Sequence, residues 1–353
     1  MVTHVSFQTG TGWALVERFD FFVAVFFALS AFVLWRRPLN PHYLPNRLAR
    51  LAPAYIVCVA AVLLLLPENR HVGWLRAVVN LTATQIYIPD ALVPGLTHLW
   101  SLCVEIAFYL LLPLMFWTLR ERKPATRITV ILGVSALSLL WPWLPFVADY
   151  SSGSINFQIW PPSYTSWFAV GLIAAEIEPR LSARNAVFER ALRHRTLWWV
   201  AALAIAWVSS REWFGPLGLV HPSPAEFNRR VVAGALFALC VVWPYALNTR
   251  EGFVHKPLWQ WLGRISYSIF LWHVAVLAVI FPLAGIRLFS GDVSDFIVVL
   301  ALTVAATVVV AHASYVLVEA PARAYFQRRL KPVVEQGPHH RRKTAPATPR
   351  ARA

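Results

Sequence analysis

Glu105 stands inside His98-Leu-Trp-Ser-Leu-Cys-Val-Glu-Ile-Ala-Phe-Tyr-Leu-Leu-Leu-Pro113, a run that otherwise reads as a membrane-spanning helix. A charge there costs about 2.5–3.5 kcal/mol, so an intramembrane carboxylate marks a functional site with a partner to be found. His98 lies seven residues away, within about 20° around the helix axis and about 10 Å along it, and Ser101 lies between them near the same face. The stripe serves equally well as interhelical hydrogen bonding or as the wall of a reactive site. Arg47 and Arg50, in Asn-Arg-Leu-Ala-Arg-Leu-Ala-Pro, are three apart and share a helical face. Paired guanidinium forks suit phosphate oxygens, and they suit anchoring at lipid headgroups as well. His273 lies midway along another apolar run, and Glu319 ends the last one, where Arg323 is a natural partner. His4 sits near the end of a short N-terminal helical stretch.

The elements that position these residues are apolar blocks. The chain has 353 residues, 58% hydrophobic and only 14% charged, with mean hydropathy +0.55. A soluble domain carries nearer a quarter charged residues, so this is an all-α polytopic membrane protein. Nine spans are predicted, near 19–35, 51–67, 98–118, 128–148, 161–177, 196–209, 230–247, 262–284 and 295–318. With the loop after the first span in the cytoplasm, 25 of the 32 Lys and Arg residues fall on the inner side. The positive-inside rule therefore predicts a multi-pass plasma-membrane protein with a cytoplasmic C-terminus. The net charge of +15 is thus a topology signal with anionic-lipid contact, and nucleic acid is not an expected partner.

Residues 68–97 form the longest external connection, half apolar, and are expected to lie on or dip into the bundle surface. Residues 1–330 read as one integral-membrane domain and 331–353 as a disordered basic tail. Nine spans with an inner C-terminus require an outer N-terminus, and residues 1–12 read as the end of a helix, so an earlier span is expected before Met1. Cys58, Cys103 and Cys240 fall within spans at no metal-ligand spacing and read as packing residues; no metal site is expected.

Taken in order, five fragments carry a family likeness: Phe26-Phe27-Ala28-Leu29-Ser30-Ala31-Phe32; Arg47-x-x-Arg50-x-x-Pro53; His98-x-Trp100-Ser101-Leu102-x-x-Glu105-x-x-Phe108-Tyr109; Leu262-Gly263-Arg264-Ile265-Ser266-Tyr267-Ser268 leading to Leu271-Trp272-His273; and Glu319-x-Pro321. Over residues 1–330 the chain resembles the membrane-bound acyltransferase-3 family, whose members O-acylate carbohydrates, lipid-linked glycans of the cell envelope or small secreted products. The resemblance implies about ten spans and a first helix ending in a catalytic His, matched here by His4; the basic residue usual about ten positions earlier would precede Met1. The family's Ser-Gly-Phe is Ser30-Ala31-Phe32 here, a small-for-small change compatible with close helix packing. It implies acyl-CoA, most often acetyl-CoA, as donor substrate with no bound cofactor, Arg47 and Arg50 on its phosphates, and His4 as general base toward an acceptor hydroxyl of an envelope glycan or glycolipid. Glu105 and His98 would orient a His or bind the acceptor, with Ser101, His273 and Glu319 in support. No Cys belongs to these motifs, so a cysteine nucleophile is not expected.

Two other classes compete. A carrier or flippase for a lipid-linked glycan would line its path with Glu105, His98 and His273, but no inverted repeat is apparent. A membrane glycosyltransferase would need paired carboxylates, and residues 68–97 offer only Glu68 and Asp90.

Overall fold

The computed structural model describes residues 1–151, 153–181, 186–216, 220–248 and 252–330. The basic tail predicted from residue 331 onward lies outside the described residues. Among these, every regular element is helical. In chain order they are α1 (Val2–Thr9), α2 (Ala14–Glu17), α3 (Phe22–Trp35), α4 (Tyr43–Leu65), α5 (Trp74–Leu81), α6 (Trp100–Leu119), α7 (Pro124–Ser138), α8 (Pro145–Ala148), α9 (Thr165–Leu181), α10 (Ala186–Arg193), α11 (Arg195–Ser209), α12 (Pro224–Ala246), α13 (Pro257–Ala284), α14 (Val293–Ser314) and α15 (Ala320–Leu330). One π-helical turn, Tyr315–Glu319, joins α14 to α15.

Among the described residues seven helical segments are long and apolar enough to cross a membrane, against the nine or ten expected. Helices also stand at the other two predicted positions, but they are short. α11 has 15 residues, about 23 Å of rise against a hydrocarbon core of about 30 Å. α9 has 17 residues and carries Glu176, Glu178 and Arg180 near its C-terminal end. The first span, Ala14–Trp35, begins five residues before the predicted 19 and so draws Arg18 into the bundle, buried, 3.6 Å from Asp20.

Two groups of helices flank α6. On one side α3, α7, α9, α11 and α12 pack together; on the other α4, α13, α14 and α15 do, with α1 docked on α14. α3 and α9 approach so closely that Gly171 lies against the Ala28 main chain, the small-residue packing expected where no hydrophobic force separates helix from lipid. α6 packs on the first of these groups through rings: Phe108 stacks on Phe168 at 4.3 Å, Phe168 on Phe27 at 4.5 Å, and Phe116 meets Trp35 at 4.6 Å. α4 and α13 run parallel, tied where the Tyr267 hydroxyl donates to the Leu51 carbonyl and the Cys58 thiol to the Leu271 carbonyl. All three cysteines are buried and unpaired. The 68–97 connection does dip into the bundle, burying Ile86, Val93 and Leu96. It is held by the Asn80 amide, which donates to the Arg76 and Ala91 carbonyls.

Candidate functional site

α1 is too short to hold its place alone, and it is tied down at both ends. The Thr3 hydroxyl donates to the Val16 carbonyl, while the Phe289 and Gly291 amides donate to the carbonyls of Gln8 and Thr9. Gly10 ends the helix at φ 69°, a left-handed cap for which glycine is suited. Val5 is buried against Leu277, Phe281 and Val299, which turns the neighbouring His4 toward α13.

There the three histidines converge. His4 lies 5.2 Å from His273 and 6.2 Å from His98, ring centre to ring centre, and His98 lies 4.6 Å from His273. One main-chain atom orders two of them. The Phe270 carbonyl oxygen sits 2.8 Å from His98 Nε2 and 2.8 Å from His273 Nδ1. A carbonyl can only accept, so each neutral ring turns its N–H to it. Among the described residues His98 Nδ1 is buried without a partner, and His273 keeps its Nε2 lone pair. Sequence reasoning named all three residues but ranked His273 as support, because the contact spans elements remote in the chain.

Glu105 is buried at 1% exposure, and its partners are not the ones the spacing suggested. Its Oε1 accepts hydrogen bonds from the Ser30 and Tyr109 hydroxyls, while Oε2 has no partner among the described residues. Ser101 instead donates to the His98 carbonyl at 3.1 Å, within its own turn. Ser30 and Tyr109 were visible only as motif letters. Tyr109, four residues from Glu105, was findable by the helical neighbour rule; Ser30, 75 positions away, was not.

The two arginines part company. The Arg47 guanidinium lies 5.8 Å from the Tyr109 ring centre, on the Glu105 side. Arg50 lines a cavity of about 340 Å³ with Arg264, Arg323, Gln260 and Glu319. Glu319 is buried in the π-helical turn, accepts from the Ser268 hydroxyl at 3.1 Å, and faces Arg50 as well as Arg323. It forms no ion pair with Arg323 closer than 4.0 Å among the described residues, so the simple interfacial pair expected from sequence is not made. From Arg264 to His273 is nine residues of continuous α13, about 14 Å. From His98 to Tyr109 along α6 is about 16 Å. Polar groups thus run through the bundle from a cluster of imidazoles, past Glu105, to a basic cavity.

The family model for the acyltransferase domain matches residues 2–312. The peptidoglycan O-acetyltransferase OatA of Listeria monocytogenes is 26% identical over 249 residues, covering 65% of this chain and 35% of that protein. The O-acetyltransferase OatA of Staphylococcus aureus is 23% identical over 335 residues, 85% of this chain and 52% of that protein. Nodulation protein 10 of Rhizobium leguminosarum bv. viciae is 27% identical over 186 residues, 51% of this chain and 44% of that protein. The chain therefore spans between about a third and about half the length of these curated relatives. No solved structure matches it.

Proposed function

The chain belongs to the membrane-bound acyltransferase-3 family, and from that premise we propose that it is an integral-membrane O-acyltransferase. It moves an acetyl group from cytoplasmic acetyl-CoA to a hydroxyl of an extracytoplasmic envelope glycan or glycolipid. The observation that carries this reading is the convergence of His4, His98 and His273 at one end of a polar line whose other end is a basic cavity. Two relatives named O-acetyltransferase agree with it. The bias of Lys and Arg toward the Arg50 side supports the cytoplasm as the donor's compartment.

His4 is the general base. Among the described residues no hydrogen bond fixes its ring, whereas His98 and His273 are held by Phe270, so it is the imidazole best able to turn toward a substrate. It removes the proton as the acceptor oxygen bonds to the thioester carbonyl carbon. The carbon–sulfur bond then breaks, and the proton passes from the imidazolium to the departing thiolate. His98 and His273, whose rings lie 6.2 and 5.2 Å from that of His4, steady the imidazolium or share its proton. Glu105, fixed by Ser30 and Tyr109, orients groups along the donor's path, with its free Oε2 available to a substrate hydrogen-bond donor.

The test is transfer of labelled acetyl from acetyl-CoA by the purified protein in nanodiscs, with loss of the acetyl increment from envelope glycans on gene deletion. A protein that leaves acetyl-CoA intact and instead moves a lipid-linked glycan across the bilayer is a carrier, and the reading falls.

A further inference from the structure

Arg264 and Arg323 come from α13 and α15, far apart in sequence, and with Arg50 from α4 they surround one cavity of about 340 Å³. All three side chains are exposed at its rim. Inside, the single carboxylate of Glu319 is buried and already engaged by Ser268. Among the described residues, three guanidinium groups and one carboxylate line the cavity and leave it a net charge of +2. A hydrogen bonded to Cα is all that Gly263 presents to this space, and nothing lies within 4 Å of where its Cβ would stand, so the floor is open. Gln260, whose amide donates to the Val254 carbonyl at 3.0 Å, also lines the cavity.

Three forked donors converging on an open space suit a ligand bearing several phosphate oxygens, which Arg binds in bidentate fashion. We propose that Arg264 and Arg323, with Arg50, form a cradle for a polyphosphate ligand, namely the phosphate-bearing end of the acyl-CoA donor. The identity of the donor rests on the function proposed above. Arg47 is not part of this cradle; it belongs to the Tyr109–Glu105 group. The geometry also suits the transfer. From this cradle to His273 is about 14 Å along α13, so a ligand held by its phosphates must extend a slender arm along the polar line to present its thioester to the imidazoles. Anionic lipid headgroups carry the same phosphate chemistry, and the test separates the two sources.

Binding of labelled desulfo-CoA, which needs no turnover, is measured on the full chain in phosphatidylcholine nanodiscs for wild type, Arg264→Ala, Arg323→Ala and the double variant. Each single variant is expected to weaken Kd about tenfold, and the double variant further. Competition by phosphate-free pantetheine reports the arm alone, so the wild-type ratio of CoA to pantetheine affinity should collapse in the variants. That collapse also shows that the fold and the rest of the path survive. A ratio that stays at the wild-type value overturns the cradle, and so does a wild type that does not bind desulfo-CoA. If the variants lose only their response to added phosphatidylglycerol and keep CoA affinity, the cavity is a headgroup site and the proposal is likewise refuted. A protein that binds CoA through these arginines yet transfers no acetyl group upholds the cradle and refutes the proposed reaction.

Discussion

Gly171→Ala should destabilise the bundle and silence the site. A methyl group on Gly171 would lie 1.9 Å from the Ala28 carbonyl oxygen, and 2.8 Å from both its carbonyl carbon and the Phe32 amide nitrogen. Ordinary contact begins at 3.4 Å, so α3 and α9 must part by roughly 1.5 Å at their crossing. Every obstructing atom is main chain, so no rotamer change relieves the overlap. The Phe27–Phe168 stack beside it would open too, and gaps of 0.5–1 Å forfeit about a quarter to a half of such contacts. Overpacking on this scale costs about 3 kcal/mol, against about 1 kcal/mol gained from replacing Gly by Ala in a helix. The net loss of about 2 kcal/mol corresponds, for a chain of 353 residues, to a fall in Tm of roughly 3 °C. Gly133→Ala is the matched control, since α7 offers open space there; it should gain up to about 1 kcal/mol. Thermal unfolding in detergent, followed by intrinsic Trp fluorescence, measures both. Ser30, two residues from Ala28 on α3, would move with the helix, so acetyl transfer should fall as well. A Gly171→Ala protein as stable as wild type would refute the close main-chain packing of α3 on α9.

The remaining expectations concern the site and one helix cap. Alanine at His4 should lower kcat by about a hundredfold or more, and a His98, His273 double variant should lose far less than the product of the single losses, because groups that act as a unit are not additive. Tyr109→Phe removes one of two donors to the buried Glu105 and should cost about 1.5–3 kcal/mol in kcat/KM or stability; equal values for variant and wild type in both assays would detach Tyr109 from the site. Arg47→Ala should act mainly on kcat and Arg50→Ala mainly on KM for acetyl-CoA, so identical kinetic signatures would refute their separation. Asp292 caps α14 by accepting from the Ser294 amide and hydroxyl, which hold its carboxyl below the usual aspartate range. Its contribution to stability is therefore present above the ordinary aspartate pKa and is lost as pH falls through the lowered one. Asp292→Ala should accordingly lower Tm at neutral pH, with the difference from wild type vanishing in strong acid.

Hydropathy alone located a helix at each predicted span, because the period and length of apolar runs are local properties. It counted α9 and α11 as spans although their predicted ranges were already short, and the helices found there, 17 and 15 residues long, match those ranges in length to within a residue. The stripe on α6 was legible as a stripe, yet its reading as a Glu105–His98–Ser101 partnership failed. Ser101 satisfies its own turn, and Glu105 is held by Tyr109 one turn further along α6 and by Ser30 of a neighbouring helix.

Residue type and spacing determined that His98, His273 and one costly carboxylate lie within apolar spans and that a basic pair stands at the mouth of another, while the family resemblance was needed to single out His4. Tertiary structure decided which of them meet. A one-dimensional pattern constrains neighbours three or four residues apart, whereas the Phe270 carbonyl that orients His98 lies 172 positions away. Such contacts depend on where helices cross, and in this bundle crossings follow from small residues such as Gly171 and Ala28 letting backbones touch. The same crossings sent Arg47 toward Tyr109 and Arg50 into the cavity with Arg264 and Arg323, though a shared helical face gave no reason to separate them.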